Sequence, residues 1–447
     1  MPQIDRSPEG RLRTLHKALV ARRPAIDEVE AWRDGQHPLA YASPKFKEAF
    51  GSLFGEGLAD NWCEVVVTAV EERLEVNGFR VGDEPAADPE ANAIWQANGL
   101  DAQSQLVHTD AVTAGESYVT VWFGDDGPEI TAEHPGSTIV AYDPRRPWRR
   151  SAALRTYTDE WGFEHAELFL PDAVHRWRNP KPVSELVGNV AWEPDGDPMD
   201  NPLGVVPVVV FTNQARSKRP DSITKMSELA PVIPMQRAAN KLLTDMLVSS
   251  EFHADPQRWA TGYRIERTET GEPVPPRIRT DRLLVSEDPA AKFGQLPAAD
   301  LKNYADAIAV IVQHIASISR TPPHYLLASA DRLSGESIKA AETGLVAKVH
   351  RKQRRFGEAW EDVIRLAGAV AGNPALAAAH QAEVIWGDAE TRTEAEHVDA
   401  VMKKQALGVP KQQLWEDLGY TPQQIARFEA MLAEDSLFAP VTDDAAA

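Results

Sequence analysis

Residues 335–371, GESIKAAETGLVAKVHRKQRRFGEAWEDVIRLAGAVA, form one long helical pattern. Leu345, Val349, Phe356, Trp360, Ile364 and Ala367 recur mostly every three or four residues and so lie on one stripe. Ser334 is a natural N-cap, and Gly372-Asn373-Pro374 is a clean stop. At a rise of about 1.5 Å per residue the helix would be roughly 50 Å long. Lys348, Arg351, Lys352 and Arg355 are spaced i, i+3, i+4, i+7, so four cations share one face. By itself that spacing describes a solvated basic face as readily as a binding one.

Immediately upstream, Thr321-Pro322-Pro323-His324-Tyr325-Leu326-Leu327 is a rigid turn leading into a polar loop that ends at Ser334. Before the turn, Leu301, Tyr304, Ile308, Ile311, Ile315 and Ile318 are spaced 3, 4, 3, 4, 3, a heptad-like seam. The seam suits either a core helix within one subunit or a helix packing against another. Residues 253–297 are rich in proline and glycine, with short alternating runs at 263–267 and 283–285. They carry seven Lys/Arg and seven Asp/Glu, neutral within a strongly acidic chain. Residues 222–252 show helical spacing, with Pro231 and Pro234 near its start.

Toward the N-terminus, helices are predicted over 8–34, 61–74, 89–98 and 101–114. After Gly115 the period becomes two, predicting strands at 117–123, 130–133, 137–142, 152–158, 165–170 and 205–211. Residues 214–221 read as a boundary that closes an α+β domain. Downstream of Pro374 we expect a strand at 383–386 and helices near 393–406, 410–417 and 421–434.

The order of an amphipathic helix, TPPHYL, a loop ending SGESIKAAE and a long helix holding KQRRFGEAW resembles the portal proteins of tailed bacteriophages, or head–tail connectors. The resemblance extends to NWCEVVVTAVEERLEVNGF (61–79), AGESYVTVW (114–122), LGVVPVVVFTN (203–213) and SELAPVIPMQRAANKLLTDMLVSSEFHADPQRWATG (227–262), in family order.

The resemblance implies an α+β portal fold. Its expected parts are a wing domain over 1–220, a first stem helix region over 221–253 and a small β-rich clip over 254–298. A second stem helix over 299–320, a tunnel loop over 321–334, a long wing helix over 335–374, a helical crown over 375–435 and a disordered tail over 436–447 follow. It also implies a homo-oligomeric ring, a dodecamer, at one capsid vertex of the virion, assembled in the host cytoplasm. Double-stranded DNA would pass through without sequence preference. The terminase large subunit, a head-completion adaptor, and major capsid and scaffold proteins are the implied partners. Tunnel-loop residues facing the DNA channel would be Leu326, Leu327, Ser329, Asp331, Arg332, Ser334 and Lys339. Clip residues docking terminase or adaptor would be Arg264, Arg267, Arg277, Arg279 and Arg282. The 301–318 seam would pack the stem.

Composition is compatible with this. A chain of 447 residues, 43% hydrophobic and 26% charged, can hold several globular cores. Its single cysteine, Cys63, excludes a disulfide framework and a multi-cysteine metal site. The first ten residues lack an apolar signal-peptide core, and Val205–Phe211 and Ile308–Ile318 are too short to span a bilayer, so a soluble chain with no membrane is expected. A net charge of −20 argues against a protein that coats DNA but not against one that lets DNA slide, which should neutralise few phosphates.

Motifs for chemistry are sparse. There is no phosphate-loop GxxxxGK[ST], and Asp60 replaces the last glycine after Gly55 and Gly57 of a dinucleotide pattern. His165-Ala166-Glu167 imitates a deaminase start without the CxxC half. The run 195–200 has Pro198 and Met199 where an EF-hand needs other residues. Gly115–Val119 lacks the second glycine of a nucleophile elbow, and Cys63 sits in an apolar helical stretch that suits a buried small hydrophobe. We therefore expect no cofactor and no enzymatic activity. The competing expectations are a non-ring capsid-associated scaffold protein and a nucleic-acid-processing enzyme.

Overall fold

A computed structural model describes residues 5–38, 60–82, 87–185, 191–219, 222–254, 258–262, 270, 289–295, 300–327, 335–390 and 394–437. Two compact units divide the chain: residues 1–37, 61–234 and 315–447 form the first, and residues 38–60 and 235–314 the second.

The first unit opens with helix α1 (Pro8–Arg33), where the Ser7 hydroxyl accepts from the Gly10 amide at 3.1 Å and Pro8 occupies the first turn. Helices α2 (Trp62–Glu71), α3 (Pro89–Ala97) and α4 (Leu100–Ala114) follow the predicted spans to within a few residues; a short strand β1 (Val76–Arg80) lies between α2 and α3. Gly115 caps α4 in a left-handed conformation, φ +94°, and a Cβ there would lie 2.9 Å from the carbonyl carbon of Met226. Only glycine satisfies both demands.

Two antiparallel sheets carry the β-rich part. Strands β2 (Glu116–Gly124), β3 (Gly127–Glu133) and, much later in the chain, β10 (Val208–Thr212) form a sheet in the order β10-β2-β3. A six-stranded sheet contains β4 (Thr138–Asp143), β5 (Arg146–Thr158), β6 (Phe163–Phe169), β7 (Ala173–Pro182) and β8 (Glu193–Pro194) in sequence order, with β9 (Met199–Asp200) also on β7. Leu12 and Leu15 of α1 pack on one face of this sheet with Leu154, Leu168 and Trp177, while Tyr118, Ala153, Phe169 and Val208 build a second core.

The start of the expected helical stretch at 222 is instead a strand. β11 (Ala215–Arg219) pairs antiparallel with β12 (Ser222–Lys225). Helix α5 (Ile233–Ala254) then begins with Pro234 in its first turn, a position proline tolerates.

In the second unit, α5 continues from Met235, strands β13 (Arg258–Thr261) and β14 (Lys292–Gln295) pair antiparallel, and helix α6 (Lys302–Ser319) runs to His314. The Ser249 hydroxyl lies 3.3 Å from the Tyr304 hydroxyl, joining α5 to α6. The alternating runs expected at 263–267 and 283–285 lie outside the described residues.

The first unit resumes at Ile315. A single turn, α7 (Pro323–Leu326), precedes α8, which covers Gly335–Val370 as 36 residues. All six stripe residues of α8, Leu345, Val349, Phe356, Trp360, Ile364 and Ala367, are fully buried. Trp360 packs edge-on to Phe211 of β10, 4.7 Å between ring centroids, and its indole N–H donates to His108 Nε2 at 2.9 Å. Burial pushes His108 down to about 3, so the ring is neutral and can accept. A one-turn helix α9 (Pro374–Ala377) and strand β15 (Glu383–Trp386) follow; β15 pairs with β1, bringing Arg80 opposite Glu383. Helices α10 (Glu394–Ala406), α11 (Lys411–Asp417) and α12 (Pro422–Leu437) finish the described chain, and the tail beyond Leu437 lies outside it.

Candidate functional site

The centre of the long helix is an ion-pair joint. Lys348 and Lys352 lie one turn apart on α8, and Glu228 stands between their ammonium groups, Nζ to Oε1 3.0 Å and Nζ to Oε2 2.8 Å. All three are buried, with Lys352 only 3% exposed. Asn213 and Gln214 complete the cluster. The Gln214 side-chain amide donates to Glu228 at 3.0 Å, Lys352 donates to the Asn213 side-chain oxygen Oδ1, and the Asn213 side-chain amide donates to the Met226 backbone oxygen at 2.9 Å. Lys348 also donates to the backbone oxygen of Ser319 at 2.6 Å, the last residue of α6. Arg355 donates to the Asn213 backbone oxygen at 2.8 Å.

Burial alone would raise the Glu228 carboxyl, but Lys352 and Lys348 outweigh it and hold it at about 2. The two ammonium groups share one carboxylate, and burial pushes both below the usual lysine range. Beyond Glu228, the two amines donate to the Ser319 backbone oxygen and the Asn213 side-chain oxygen.

The four cations read as one basic face are thus divided. Lys348 and Lys352 are buried in the joint, whereas Arg351 and Arg355 are exposed. Spacing placed them together correctly but could not show what faces them. Glu228, the residue that decides the matter, lies 120 positions upstream of Lys348, and no local pattern connects the two.

A second cluster fixes the turn before residue 328. Arg73 donates to the Tyr325 hydroxyl at 2.6 Å and to the Ala69 backbone oxygen at 3.0 Å; the Tyr325 hydroxyl lies 3.3 Å from Glu342 of α8. His324 lies 3.7 Å from the same carboxylate. The Trp62 indole N–H donates to the Leu326 backbone oxygen at 3.2 Å, and Thr321 and Pro322 are buried. The segment 321–327 is therefore held by α2 on one side and α8 on the other.

Of the expected tunnel-loop residues, Leu326 is buried, Leu327 half-buried and Lys339 exposed on the second turn of α8. Ser329, Asp331, Arg332 and Ser334 lie outside the described residues, as do the arginines expected in a clip, Arg264, Arg267, Arg277, Arg279 and Arg282. Along the seam, Ile315 is buried, Leu301, Tyr304, Ile308 and Ile311 are half-buried, and Ile318 is exposed. Val312 and Ala316, outside the heptad reading, are buried instead.

Among the described residues no group of histidine, cysteine and carboxylate side chains could hold a metal, and no helix is long and apolar enough to cross a membrane. Cys63 is fully buried and its thiol is pushed up to about 12, which makes it a core side chain rather than a nucleophile.

The long helix is thus pinned at its centre, by Glu228 and by the end of α6. The sequence profile of the family "Phage portal protein, SPP1 Gp6-like" matches residues 57–436. The chain belongs to that family of structural, non-enzymatic phage proteins, and its fold is α+β as the resemblance implied. The portal protein of Mycobacterium phage D29 is 34% identical over 378 residues, 79% of this chain and 75% of that one. The portal protein of Mycobacterium phage L5 is 33% identical over 435 residues, 90% and 87% of the two chains. A chain from the neck of a native gene transfer agent particle computed with C12 symmetry aligns with a TM-score of 0.49 at 11% identity, covering 85% of this chain and 95% of that one. A chain from the virion of a native gene transfer agent particle aligns with a TM-score of 0.47 at 10% identity, covering 88% and 99%.

Proposed function

We propose that this chain is one subunit of a closed ring, a dodecamer, at a single capsid vertex. Its axis would be the channel through which terminase drives double-stranded DNA in and the adaptor and tail let it out. The observation that carries this reading is the family match across residues 57–436 together with relatives that are named portal proteins. In this reading residues 1–220 form the wing, 221–253 and 299–320 the stem, 254–298 the clip, 335–374 the long wing helix and 375–435 the crown. The loop 321–334 faces the channel. The terminase large subunit and the adaptor dock on the clip, and assembly occurs in the host cytoplasm with capsid and scaffold proteins.

A ring needs two different, mutually complementary surfaces on each subunit. Helix α6 supplies part of one, because Val310 and Ile318 remain 51% and 46% exposed on it. Native mass spectrometry of the purified full-length protein tests the reading. Closed rings are expected; a strictly monomeric species at high concentration and moderate salt overturns it in favour of a non-ring scaffold.

A further inference from the structure

The six-stranded sheet of the first unit carries a basic hairpin and, elsewhere, an acidic turn. Where β4 turns into β5, the hairpin reads Asp143-Pro144-Arg145-Arg146-Pro147-Trp148-Arg149-Arg150, with residues 144–149 all exposed and Trp148 78% exposed. Arg150 pairs with Asp362 at 2.6 Å, but Arg145, Arg146 and Arg149 make no ion pair among the described residues. Beside the hairpin an open cavity of about 900 Å³ is lined by Arg146, Arg149, Arg150, Arg355 and Arg365 against only two carboxylates, Glu358 and Asp362. Along the outer side of β7 stand the two-residue strands β8 and β9 and the turn between them, with Glu193, Asp195, Asp197 and Asp200 exposed. Asp195 approaches His165 at 3.7 Å; Glu193, Asp197 and Asp200 make no ion pair among the described residues. The turn Pro194-Asp195-Gly196-Asp197-Pro198 is short and stiffened by two prolines, with Gly196 at φ +85°.

Four strand spacings of about 4.8 Å separate β4 from β8, roughly 19 Å across the sheet, and among the described residues no ion pair joins the hairpin to the 193–200 turn. A chain of net charge −20 gains nothing in solubility from three unpaired arginines around an exposed tryptophan. Arginine and tryptophan are, however, the side chains most enriched at the centres of protein interfaces. A head-to-tail contact joins unlike surfaces, and the hairpin and the turn are unlike surfaces of opposite charge. We infer that the basic hairpin and arginine-lined cavity of one subunit receive the acidic 193–200 turn of the next copy of this chain, with Trp148 packed into the contact. This rests on the ring reading above. A nucleic-acid partner for the hairpin is the competing outcome.

The test uses two charge-reversed variants of the full-length protein, Arg146→Glu/Arg149→Glu and Asp195→Arg/Asp197→Arg, studied by native mass spectrometry across a salt series. Each variant alone would place like charges in contact and is expected to lose ring population at least tenfold. Mixed, they are expected to recover rings in which the two kinds of subunit alternate, since each then meets an opposite charge on both sides. That rescue also shows that both variants fold. If the wild type forms rings and each variant alone assembles as well, the inference fails while the ring reading stands. Folded variants that fail alone and also fail when mixed overturn direct pairing. Loss of duplex DNA binding by the hairpin variant with its rings intact assigns the hairpin to nucleic acid and likewise overturns the inference. A wild type that never forms rings removes the ring reading and this inference together.

Discussion

Glu228 is one carboxylate serving two buried ammonium groups, and this makes it the most consequential single side chain in the described structure. Replacing a partner in a buried ion pair costs about 3–5 kcal/mol, because the remaining charge keeps its desolvation penalty and loses its compensation. Glu228→Gln leaves two lysines one helical turn apart, at 8% and 3% exposure, facing a neutral amide. We expect a loss of stability in that range, read as a lower midpoint in chemical denaturation, whereas Arg351→Gln on the exposed side of the same helix should change it by no more than about 0.5 kcal/mol. The pH dependence follows from the direction of the shift. The folded-state pKa of Glu228 lies below its unfolded value, so its contribution is complete above about 4.3 and is lost as pH falls toward about 2. Acid unfolding of the wild type should therefore be steeper through that window than that of Glu228→Gln. Equal slopes would mean that the joint carries little of the stability.

At the scale of elements, what could be read from sequence was what local period dictates. The stripe of α8 is legible because six large or tightly packed residues at helical spacing have few other ways to be buried, and the structure buries all six. Strand β7 was not foreseen. Its sequence AVHRWRNPKP mixes charges and prolines with apolar residues, and it is held extended by β6 on one side and by β8 and β9 on the other. The β11–β12 hairpin hides for a similar reason, since ARSKR and SITK carry little apolar alternation and only their pairing defines them. The joint around Glu228 and the brace around Tyr325 are illegible for a different reason, because each depends on side chains brought together from distant positions. The brace makes a prediction for its element. Tyr325→Phe removes the hydroxyl that lies between Arg73 and Glu342, leaving two buried charged groups about 4.0 Å apart with fewer hydrogen bonds. We expect a cost of about 1–3 kcal/mol and faster amide hydrogen exchange in Pro323–Leu327 and the first turns of α8, with the exchange of β5 and β6 unchanged. A uniform rise across all of these would show that Tyr325 supports the whole unit rather than the turn.

At the scale of the whole molecule, the proposed ring must let DNA slide, and sliding is fastest where few phosphates are neutralised per subunit. The net charge of −20 and the burial of Lys348 and Lys352 both act in that direction, since the joint removes two of the four long-helix cations from any surface. Docking of a motor on the clip is a separate demand. Reversing Arg277, Arg279 and Arg282 to glutamate should leave rings intact by electron microscopy yet abolish packaging, and normal packaging would move the docking surface elsewhere. The channel itself is best tested at residues 328–333. Their flanks are fixed, with Leu326 bonded to Trp62, Tyr325 to Arg73, and α8 pinned by Glu228, so a change between the flanks need not disturb the fold. The sequence there offers one cation, Arg332, beside Asp331, with Lys339 on α8 beyond. One or two cations per subunit, repeated around a ring, give contacts that are weak singly, blind to sequence and weakened by salt. Replacing Ala328–Leu333 with a shorter Gly-Ser link should therefore spare the unfolding midpoint and ring formation but reduce the fraction of heads holding a full-length genome. Full heads and normal titres from such a phage would show that these residues do not handle DNA.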